Sequence, residues 1–364
     1  MDIAVLSLSK TGSIRVSDLV SCMGDKQFDA YCLRVDDGIS ITHKPIDSPV
    51  SPWIEFVFKR YQAMVLVMPV GIAVRLIAPF VESKLSDPAV VCVDDGANFA
   101  ISLVSGHIGG ADALTIEIAS AIGATPVVTS SSNVLHKPSI DLLGREYSWG
   151  MDSSSKQVTA VSAEVINDSK IGIFQDAGEP SWLDELDDNQ FKQFENLQKL
   201  SDSDVNAAIV ITDKILNPRI VQLLTAQMPW VLFRPPVLHI GIGCRKSTDC
   251  EELMAFTETI LEEHGFSKAC VASVSTIDLK KDDASIKYIA ESFGVPLNIY
   301  TSTDIDRVFE KDLPQMKVLS KSANPKKLIG VWGVAEPTAI LSSANSDLVV
   351  PKHKRSDATI AVAK

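Results

Sequence analysis

The loop VSGHIGGAD, residues 104–112, combines residue types that could transfer a proton beside a bound anion. Gly106, Gly109 and Gly110 allow a backbone to approach a ligand closely, and the helix predicted after them offers free N–H groups. His107 is the one side chain in this loop whose type titrates near pH 7, so it could act as a general base. The alternative is a glycine-rich strand-to-helix turn with a hydrogen-bonded histidine, which the residue types alone favour.

A second candidate is GIGCRKST, residues 241–248, which stands between a predicted strand and a predicted helix. It is similar to a dinucleotide fingerprint, but Lys246 occupies the third glycine position and the spacing of a P-loop is missing. What remains is a tight turn with Arg245 and Lys246 at a helix N-terminus, which is suited to binding carboxylates. A solvated basic turn without a ligand is an equally good interpretation.

Three shorter motifs add charged side chains in the C-terminal part. In TIDLK, Asp278 and Lys280 share one face if the chain is extended, and an internal ion pair is the alternative. In GVAEP, Glu336 follows a glycine turn, where the commoner role of an acid is to stabilise the helix dipole. PKHKRSD contains Lys352 and Lys354. Such a run is usually a solvated loop, but here its sign opposes the net charge, which favours an anionic ligand.

Short apolar runs alternate with amphipathic segments along the chain, a pattern typical of α/β architecture. Segments 89–95 and 99–105 flank a Gly-Ala-Asn turn and predict a hairpin, followed by a helix over 113–122. A further strand is predicted at 126–132. The sequence TDCE at 248–251 predicts a capping box, in which Thr and Glu side chains satisfy the N–H groups at a helix start.

The composition excludes several classes of protein. The chain has 364 residues, 46% of them hydrophobic, which fits two or three folded domains and excludes a disordered chain. A net charge of -12 and only 6% aromatic residues argue against nucleic-acid partners. The longest apolar stretch, 64–74, is much shorter than the roughly 20 residues of a membrane span. The six cysteines and six histidines lack metal-ligand spacing, so we expect a cytoplasmic protein with reduced thiols and no protein-held metal.

We predict a three-part α/β chain, in which two larger α/β domains flank a small, variable α/β middle domain. The middle region differs in charge, since residues 151–234 contain thirteen acidic and seven basic residues, half of the net negative charge. The predicted parts are an N-terminal domain at 1–139, an acidic middle domain or linker at 140–235 and a C-terminal domain at 236–364.

Long segments on both sides of the middle region resemble one known family. Residues 71–129, from GIAVRLIAP to GATPVVT, are similar to the N-terminal domain of the cobalamin-biosynthesis protein G family, the cobalt-precorrin-5A hydrolases. The resemblance covers nearly the whole chain, with one departure at Asp112, where asparagine is more usual. Four segments are similar to the C-terminal domain of that family: HIGIGCRKSTDCEEL (239–253), STIDLKKDDASIKYIAESFGVPL (275–297), GVWGVAEPTAILSS (330–343) and LVVPKHKRSDATIAVA (348–363).

The resemblance implies an enzyme of the anaerobic, cobalt-early route to vitamin B12. Such an enzyme opens the ring-A acetate δ-lactone of cobalt-precorrin-5A and expels C20 with its methyl group as acetaldehyde, giving cobalt-precorrin-5B. Water is the only co-substrate, and no cofactor is implied because cobalt arrives inside the substrate. The corrinoid is the implied partner, with neighbouring methyltransferases of the pathway as further candidates.

Lactone opening requires a base that activates water and donors that stabilise the oxyanion. The resemblance identifies the motifs and not the proton carriers; from the residue types we assign His107 as the base, the N–H groups of Gly109 and Gly110 as oxyanion donors, and Glu336 or Asp95 as the acid that returns a proton. A non-catalytic corrinoid-binding protein that supports the methyltransferases is the alternative, and acetaldehyde release distinguishes the two. The residues expected to bind the substrate are Gly106, Gly109, Gly110, Asp112, Arg75, Arg245, Lys246, Asp278, Lys280, Lys352 and Lys354.

Overall fold

A computed structural model describes residues 1–24, 26–38, 42–83, 86–135, 137–246, 248–310, 319 and 330–364. Within these residues the chain forms three β-sheets with helices packed against them, in two compact units. The first unit, Met1–Leu142, contains one sheet, and the second unit, Leu143–Lys364, contains the other two. The predicted three-part α/β architecture is therefore confirmed. In the described part of the chain, every helix is too short or too polar to cross a membrane.

The first unit is built on a seven-stranded sheet with helices on both faces. Its elements are β1 (Ile3–Ser7), α1 (Lys10–Cys22), β2 (Phe28–Cys32), β3 (Lys44–Pro45), α2 (Ser51–Arg60), β4 (Ala63–Val67), α3 (Val70–Ile77), β5 (Ala89–Val93), β6 (Phe99–Val104), α4 (Ala111–Ile122), β7 (Thr125–Val127) and α5 (Ser131–Leu135). The strand order is β3-β2-β1-β4-β5-β6-β7. The central strands are apolar throughout because α1 and α4 bury one face of the sheet, and α2 and α3 bury the other.

The predicted hairpin is confirmed and sets the direction of the last two strands. β5 and β6 pair in antiparallel register, with Val90 opposite Val104 and Val93 opposite Ala100. The N–H of Phe99 donates to the Asp94 carboxylate at 2.6 Å and so holds the turn. Because β6 runs back along β5, the end of β6 lies at the edge of the sheet where β5 begins. The glycine-rich loop that follows β6 is placed at this edge.

The second unit contains two five-stranded sheets. Its elements are β8 (Gly150–Met151), α6 (Ser155–Ile166), β9 (Ile171–Gln175), β10 (Phe191–Gln193), α7 (Leu197–Ser201), β11 (Ala207–Ile211), α8 (Pro218–Gln227), β12 (Trp230–Arg234), β13 (Leu238–Cys244), α9 (Cys250–Glu263), β14 (Val271–Ile277), α10 (Ala284–Phe293), β15 (Leu297–Tyr300), α11 (Ser302–Glu310), α12 (Ala335–Ser342), β16 (Leu348–Lys354) and β17 (Ala358–Ala363). The middle sheet has the order β10-β9-β11-β12-β8, and the C-terminal sheet has the order β15-β14-β13-β17-β16. Parallel strands β13, β14 and β15 end at one common edge of the C-terminal sheet.

Three local predictions are wrong. Asp249, and not Thr248, caps α9, because its side chain accepts from the N–H of Glu252 at 3.0 Å. The segment Asp278–Lys280 is a 3₁₀ turn and not an extended strand. The predicted strand at 126–132 stops at the end of β7, because α5 begins within it.

A buried ion pair joins the two sheets of the second unit. Lys364 Nζ pairs with the carboxylate of Asp213, which is completely buried. Beside this pair the N–H of Ser267 donates to the carbonyl of Asp213 at 2.7 Å. Lys214 and Phe266 add an isolated antiparallel bridge. The middle and C-terminal sheets therefore meet at a charged and largely buried junction.

Candidate active site

His107 lies in the loop between β6 and α4, with its ring facing a carboxylate from a later segment. Its Nδ1 is 3.2 Å from Oδ1 and 3.3 Å from Oδ2 of Asp141. The His107 side chain is 21% exposed and that of Asp141 is 10% exposed, so water screens the contact weakly. A histidine oriented by a carboxylate and still open to solvent on one side can take up or release a proton.

Asp112 is buried in the first turn of α4 and anchors the loop. Its two carboxylate oxygens accept from the hydroxyl groups of Ser102 at 2.6 Å and Ser130 at 2.7 Å. Its Oδ2 lies 3.7 Å from Nε2 of His107, which is beyond hydrogen-bond distance. A Cβ at Gly106 would come within 2.5 Å of Oδ1 of Asp112, so this position requires glycine. The structure places Asp112 inside the loop, where it supports the site; its predicted contact with substrate stays a prediction.

The other two glycines of the loop shape its backbone. Gly110 has a φ of +88°, which L side chains rarely adopt, and its N–H donates to the carbonyl of His107 at 3.0 Å. This N–H is already used inside the loop, which weakens its assignment to the oxyanion. Gly109 packs against Ser105, where a Cβ would come within 2.5 Å of the serine Cβ. The oxyanion role of the Gly109 N–H stays a prediction.

Asp95 and His107 lie at opposite edges of the first sheet. Asp95 follows the end of β5, where Ser9 Oγ donates to its carboxylate at 2.9 Å. His107 follows the antiparallel β6, and its loop meets the start of β5, where a Cβ at Gly109 would lie 3.3 Å from the Ala89 nitrogen. The length of β5 separates these two edges by about 16 Å, at roughly 3.3 Å per residue. The structure therefore does not bring Asp95 and His107 together, and the predicted role of Asp95 in returning a proton stays a prediction.

In the second unit, an open cavity of about 810 Å³ lies at the edge where β13 and β14 end. Lys280 Nζ donates to the carboxylate of Asp283 at 2.8 Å. The TIDLK motif had suggested an ion pair of Lys280 with Asp278 instead. Burial alone would raise the pKa of Asp283, but its bonds to the Lys280 ammonium and the Ser285 hydroxyl outweigh burial and lower that pKa. The positive charges of three lysines equal in number the negative charges of three aspartates in the lining of this cavity. The lining consists of Lys246, Asp278, Leu279, Lys280, Lys281, Asp282, Asp283 and Ala284.

Glu336 and the basic run of β16 meet at the same edge of the C-terminal sheet. Glu336 lies in the first turn of α12, is 2% exposed and accepts from the backbone N–H of Lys352 at 3.0 Å. Lys354 pairs with Thr359 of β17, which in turn pairs with Gly243 near the end of β13. Glu336 thus holds β16 against α12, and its predicted role as a proton donor stays a prediction. Lys354 is exposed on this edge strand, which also fits the usual protection of sheet edges against pairing.

The predicted arginines belong to different units. The N–H of Arg245 donates to the carbonyl of Asp357 at 2.8 Å and fixes the turn after β13. Arg355, in the basic run, binds the carboxylate of Asp357 through two bonds of 2.7 and 2.8 Å and is thereby committed to the fold. Arg75 lies on α3 in the first unit, where its Nη1 donates to the carbonyl of Gly71 at 2.8 Å. Arg75 and Arg245 are both exposed and accessible to an anionic ligand.

The glycines of GIGCRK have a packing role. A Cβ at Gly241 would lie 1.8 Å from the carbonyl oxygen of Ala335, and one at Gly243 would lie 3.3 Å from Cβ of Val334. Both glycines therefore let the start of α12 approach β13 closely. This packing accounts for the glycine spacing that gives the segment its similarity to a dinucleotide fingerprint.

Sequence reasoning missed Asp141, Ser102 and Ser130. Asp141 is 34 residues from His107 in the chain, in a segment without regular secondary structure, and no local pattern connects the two. Ser102 does carry a weak sequence signal, because it is a small polar residue within the apolar run of β6. Such a residue on a largely apolar strand indicates a buried hydrogen-bond partner. In the described ranges, the His, Cys, Asp and Glu side chains form no group of three that could hold a metal ion.

Family models match the chain in three consecutive segments. Residues 52–133 match the model described as cobalamin synthesis G N-terminal, and residues 138–235 match the cobalamin biosynthesis central region. Residues 238–363 match the cobalamin synthesis G C-terminus.

Relatives match over most of the chain. A cobalt-precorrin-5A hydrolase from Priestia megaterium is 34% identical over 84% of this chain and 79% of its own. One from Salmonella typhimurium is 29% identical over 82% of this chain and 81% of its own. A solved structure, a cobalamin biosynthesis protein G homologue from Sulfolobus solfataricus, is 21% identical with a TM-score of 0.39, covering 99% of this chain and 96% of that one. The family models and the two hydrolases agree with the motifs on both sides of the middle region, and the chain belongs to the cobalamin synthesis G family of cobalt-precorrin-5A hydrolases.

Proposed function

We propose that this protein is an enzyme of cobalamin biosynthesis that hydrolyses cobalt-precorrin-5A to cobalt-precorrin-5B and acetaldehyde. The observation that carries the proposal is the 34% identity to a protein of that name over 84% of the chain. The pairing of His107 with Asp141 supports it, because hydrolysis requires a positioned group that can accept a proton from water.

The proposed reaction has two steps. Water first adds to the ring-A δ-lactone and its ester bond breaks, which gives a carboxylic acid and a hydroxyl group on C20. The hydroxyl then loses its proton, and the bond between C20 and the macrocycle breaks to release acetaldehyde. The electron pair of that bond stays on the macrocycle, which takes up a proton. One water molecule is consumed, and no oxidant or reductant is needed.

His107 is proposed to remove the proton from water in the first step and from the C20 hydroxyl in the second. Its place in a glycine-shaped loop at the start of α4 supports this role, because the N-terminus of a helix favours developing negative charge. Asp112 holds the loop through Ser102 and Ser130, so that His107 keeps its position during proton transfer.

The acetate and propionate groups of the corrinoid are proposed to contact exposed basic side chains. Arg75 on α3 and Arg245 and Lys246 after β13 are exposed and able to bind carboxylates. Lys280 already donates to Asp283, so we expect it to contribute less than Lys246. Lys352 and Lys354 on β16 are further candidates for the same task.

Anaerobic incubation of the purified protein with cobalt-precorrin-5A, followed by detection of acetaldehyde, tests this function. We expect acetaldehyde in amounts equal to the corrinoid consumed, without added nucleotide, flavin or metal. A requirement for NAD(P)H or ATP would refute the proposal. Binding of the corrinoid without any acetaldehyde would instead identify a binding protein that serves the methyltransferases.

A further inference from the structure

Asp141 is the carboxylate placed to control which nitrogen of His107 exchanges protons. Both of its oxygens face Nδ1, at 3.2 and 3.3 Å, and its side chain is 10% exposed. It belongs to the segment that follows α5 and is the second-last residue of the first unit. An element remote in sequence therefore completes the site around the loop of His107.

We propose that Asp141 is a positioning residue, which fixes His107 with its proton on Nδ1 so that Nε2 carries out proton transfer. This inference rests on the proposed function. An ionised carboxylate can only accept hydrogen bonds, so the ring nitrogen that faces it must carry the proton. The remaining ring nitrogen of a neutral imidazole then has the lone pair needed by a base. Asp141 also stabilises the imidazolium that forms when His107 takes a second proton.

Asp112 does not orient the ring of His107, although its carboxylate also lies near the ring. Its oxygens already accept from Ser102 at 2.6 Å and from Ser130 at 2.7 Å. Its distance of 3.7 Å from Nε2 is too long for a direct hydrogen bond. The two carboxylates thus divide the work: Asp112 holds the loop, and Asp141 orients the ring.

Kinetics of Asp141→Asn with the full-length chain test the role. The amide has nearly the shape of the carboxylate but can donate to Nδ1 as well as accept, so it no longer imposes one tautomer. We expect kcat to fall about 100-fold, with KM changed less than about twofold, because the loss affects proton transfer and not binding. Asp141→Glu keeps the negative charge, and we expect its kcat to be at least about tenfold higher than that of Asp141→Asn. Asp18→Asn is the matched control, because Asp18 is an exposed partner of Arg15 on α1 and should leave kcat unchanged.

Nitrogen NMR of the histidine rings tests the same role without any turnover. In the wild type we expect His107, assigned by comparison with His107→Gln, to be the tautomer with its proton on Nδ1; in Asp141→Asn we expect a mixture. Wild-type kcat together with an unchanged tautomer in Asp141→Asn would overturn the inference. If Asp141→Asn fails to fold, wild-type kcat in a folded Asp141→Glu whose His107 tautomer is mixed would overturn it as well. The two proposals fail separately: a wild type that releases no acetaldehyde refutes the proposed function, whereas the tautomer alone decides the role of Asp141.

Discussion

Substitution of Gly241 by alanine should displace the start of α12 from β13. The added Cβ would lie 1.8 Å from the carbonyl oxygen of Ala335 and 2.8 Å from the backbone nitrogen of Ala339. Ordinary contact begins near 3.4 Å, so the strand and the helix would have to separate by about 1.6 Å. Both partners are backbone atoms in regular elements, and no flexible side chain can move aside.

The cost follows from the packing of this interface. Extra methyl groups in a well-packed core usually destabilise a protein by about 1–3 kcal/mol, mostly through shifts of the backbone and strained side chains. We expect about 3 kcal/mol or more for Gly241→Ala, because the helix itself must shift. For a unit of this size, each kcal/mol corresponds to roughly 2–4 °C, so the melting temperature should fall by roughly 6–12 °C. The shift would also move Glu336 away from the N–H of Lys352.

Differential scanning calorimetry of the full-length chain measures this effect, with Gly150→Ala as the matched control. A Cβ at Gly150 would lie 3.6 Å from the carbonyl oxygen of Arg234, an ordinary contact, so the control should melt within about 2 °C of the wild type, the shift expected for a surface change below about 0.5 kcal/mol. If Gly241→Ala also melts within that interval, the close packing of α12 on β13 does not determine stability. The explanation of the GIGCRK glycines by packing would then be refuted.

Three further substitutions test the site and the junction of the second unit. His107→Ala should lower turnover at least about 100-fold while corrinoid binding stays intact, as measured by acetaldehyde release and binding titration; wild-type turnover would make His107 a structural residue. Burial, with the nearby carboxylate of Asp213, raises the pKa of Asp176, so the folded state favours the neutral acid. The neutral acid therefore contributes its full stability below pH 3.8, the ordinary pKa of aspartate, and that stability is lost as the pH rises through the higher pKa of the folded state. Asp176→Asn should raise the melting temperature at pH 7 but leave it unchanged at about pH 3. Equal shifts at both pH values would contradict this. Lys364→Ala leaves Asp213 buried without its partner, so the free energy of unfolding measured in urea should fall by about 3–5 kcal/mol. The double variant Asp213→Asn with Lys364→Met should lose less. Equal losses in the two variants would refute the importance of the ion pair.

The sequence predicted those parts of the fold that depend on local patterns. The hairpin of β5 and β6 was predictable because two apolar runs flank a turn of residues that tolerate positive φ. The helix α4 was predicted over 113–122 and is observed at Ala111–Ile122, since the glycine after Ile122 marks its end clearly. The alternation of short apolar runs with amphipathic segments likewise predicted the α/β architecture.

The sequence did not predict features that depend on residues distant in the chain. The capping box at Thr248 fits the local pattern as well as the observed cap at Asp249 does, but Thr248 Oγ1 donates instead to the carbonyl of Asp357. The spacing of the GIGCRK glycines gives no sign of the helix that packs on them, because α12 follows much later in the chain. Asp141 has no local signal at all, because it reaches His107 only through the fold of the first unit.

The separation of Asp95 from His107 was predictable from the sequence. Asp95 ends one predicted strand of the hairpin and His107 follows the other, and both were assigned to one reaction. In an antiparallel hairpin, however, the end of the first strand lies beside the start of the second, and the end of the second lies beside the start of the first. Two residues that follow successive strands of a hairpin therefore lie at opposite edges of the sheet, as Asp95 and His107 do. In the second unit β13 and β14 are parallel and end at the same edge, which is why Lys246 and Asp278, although distant in sequence, line one cavity. The direction of neighbouring strands, more than the residue types, decides which predicted site residues can act together.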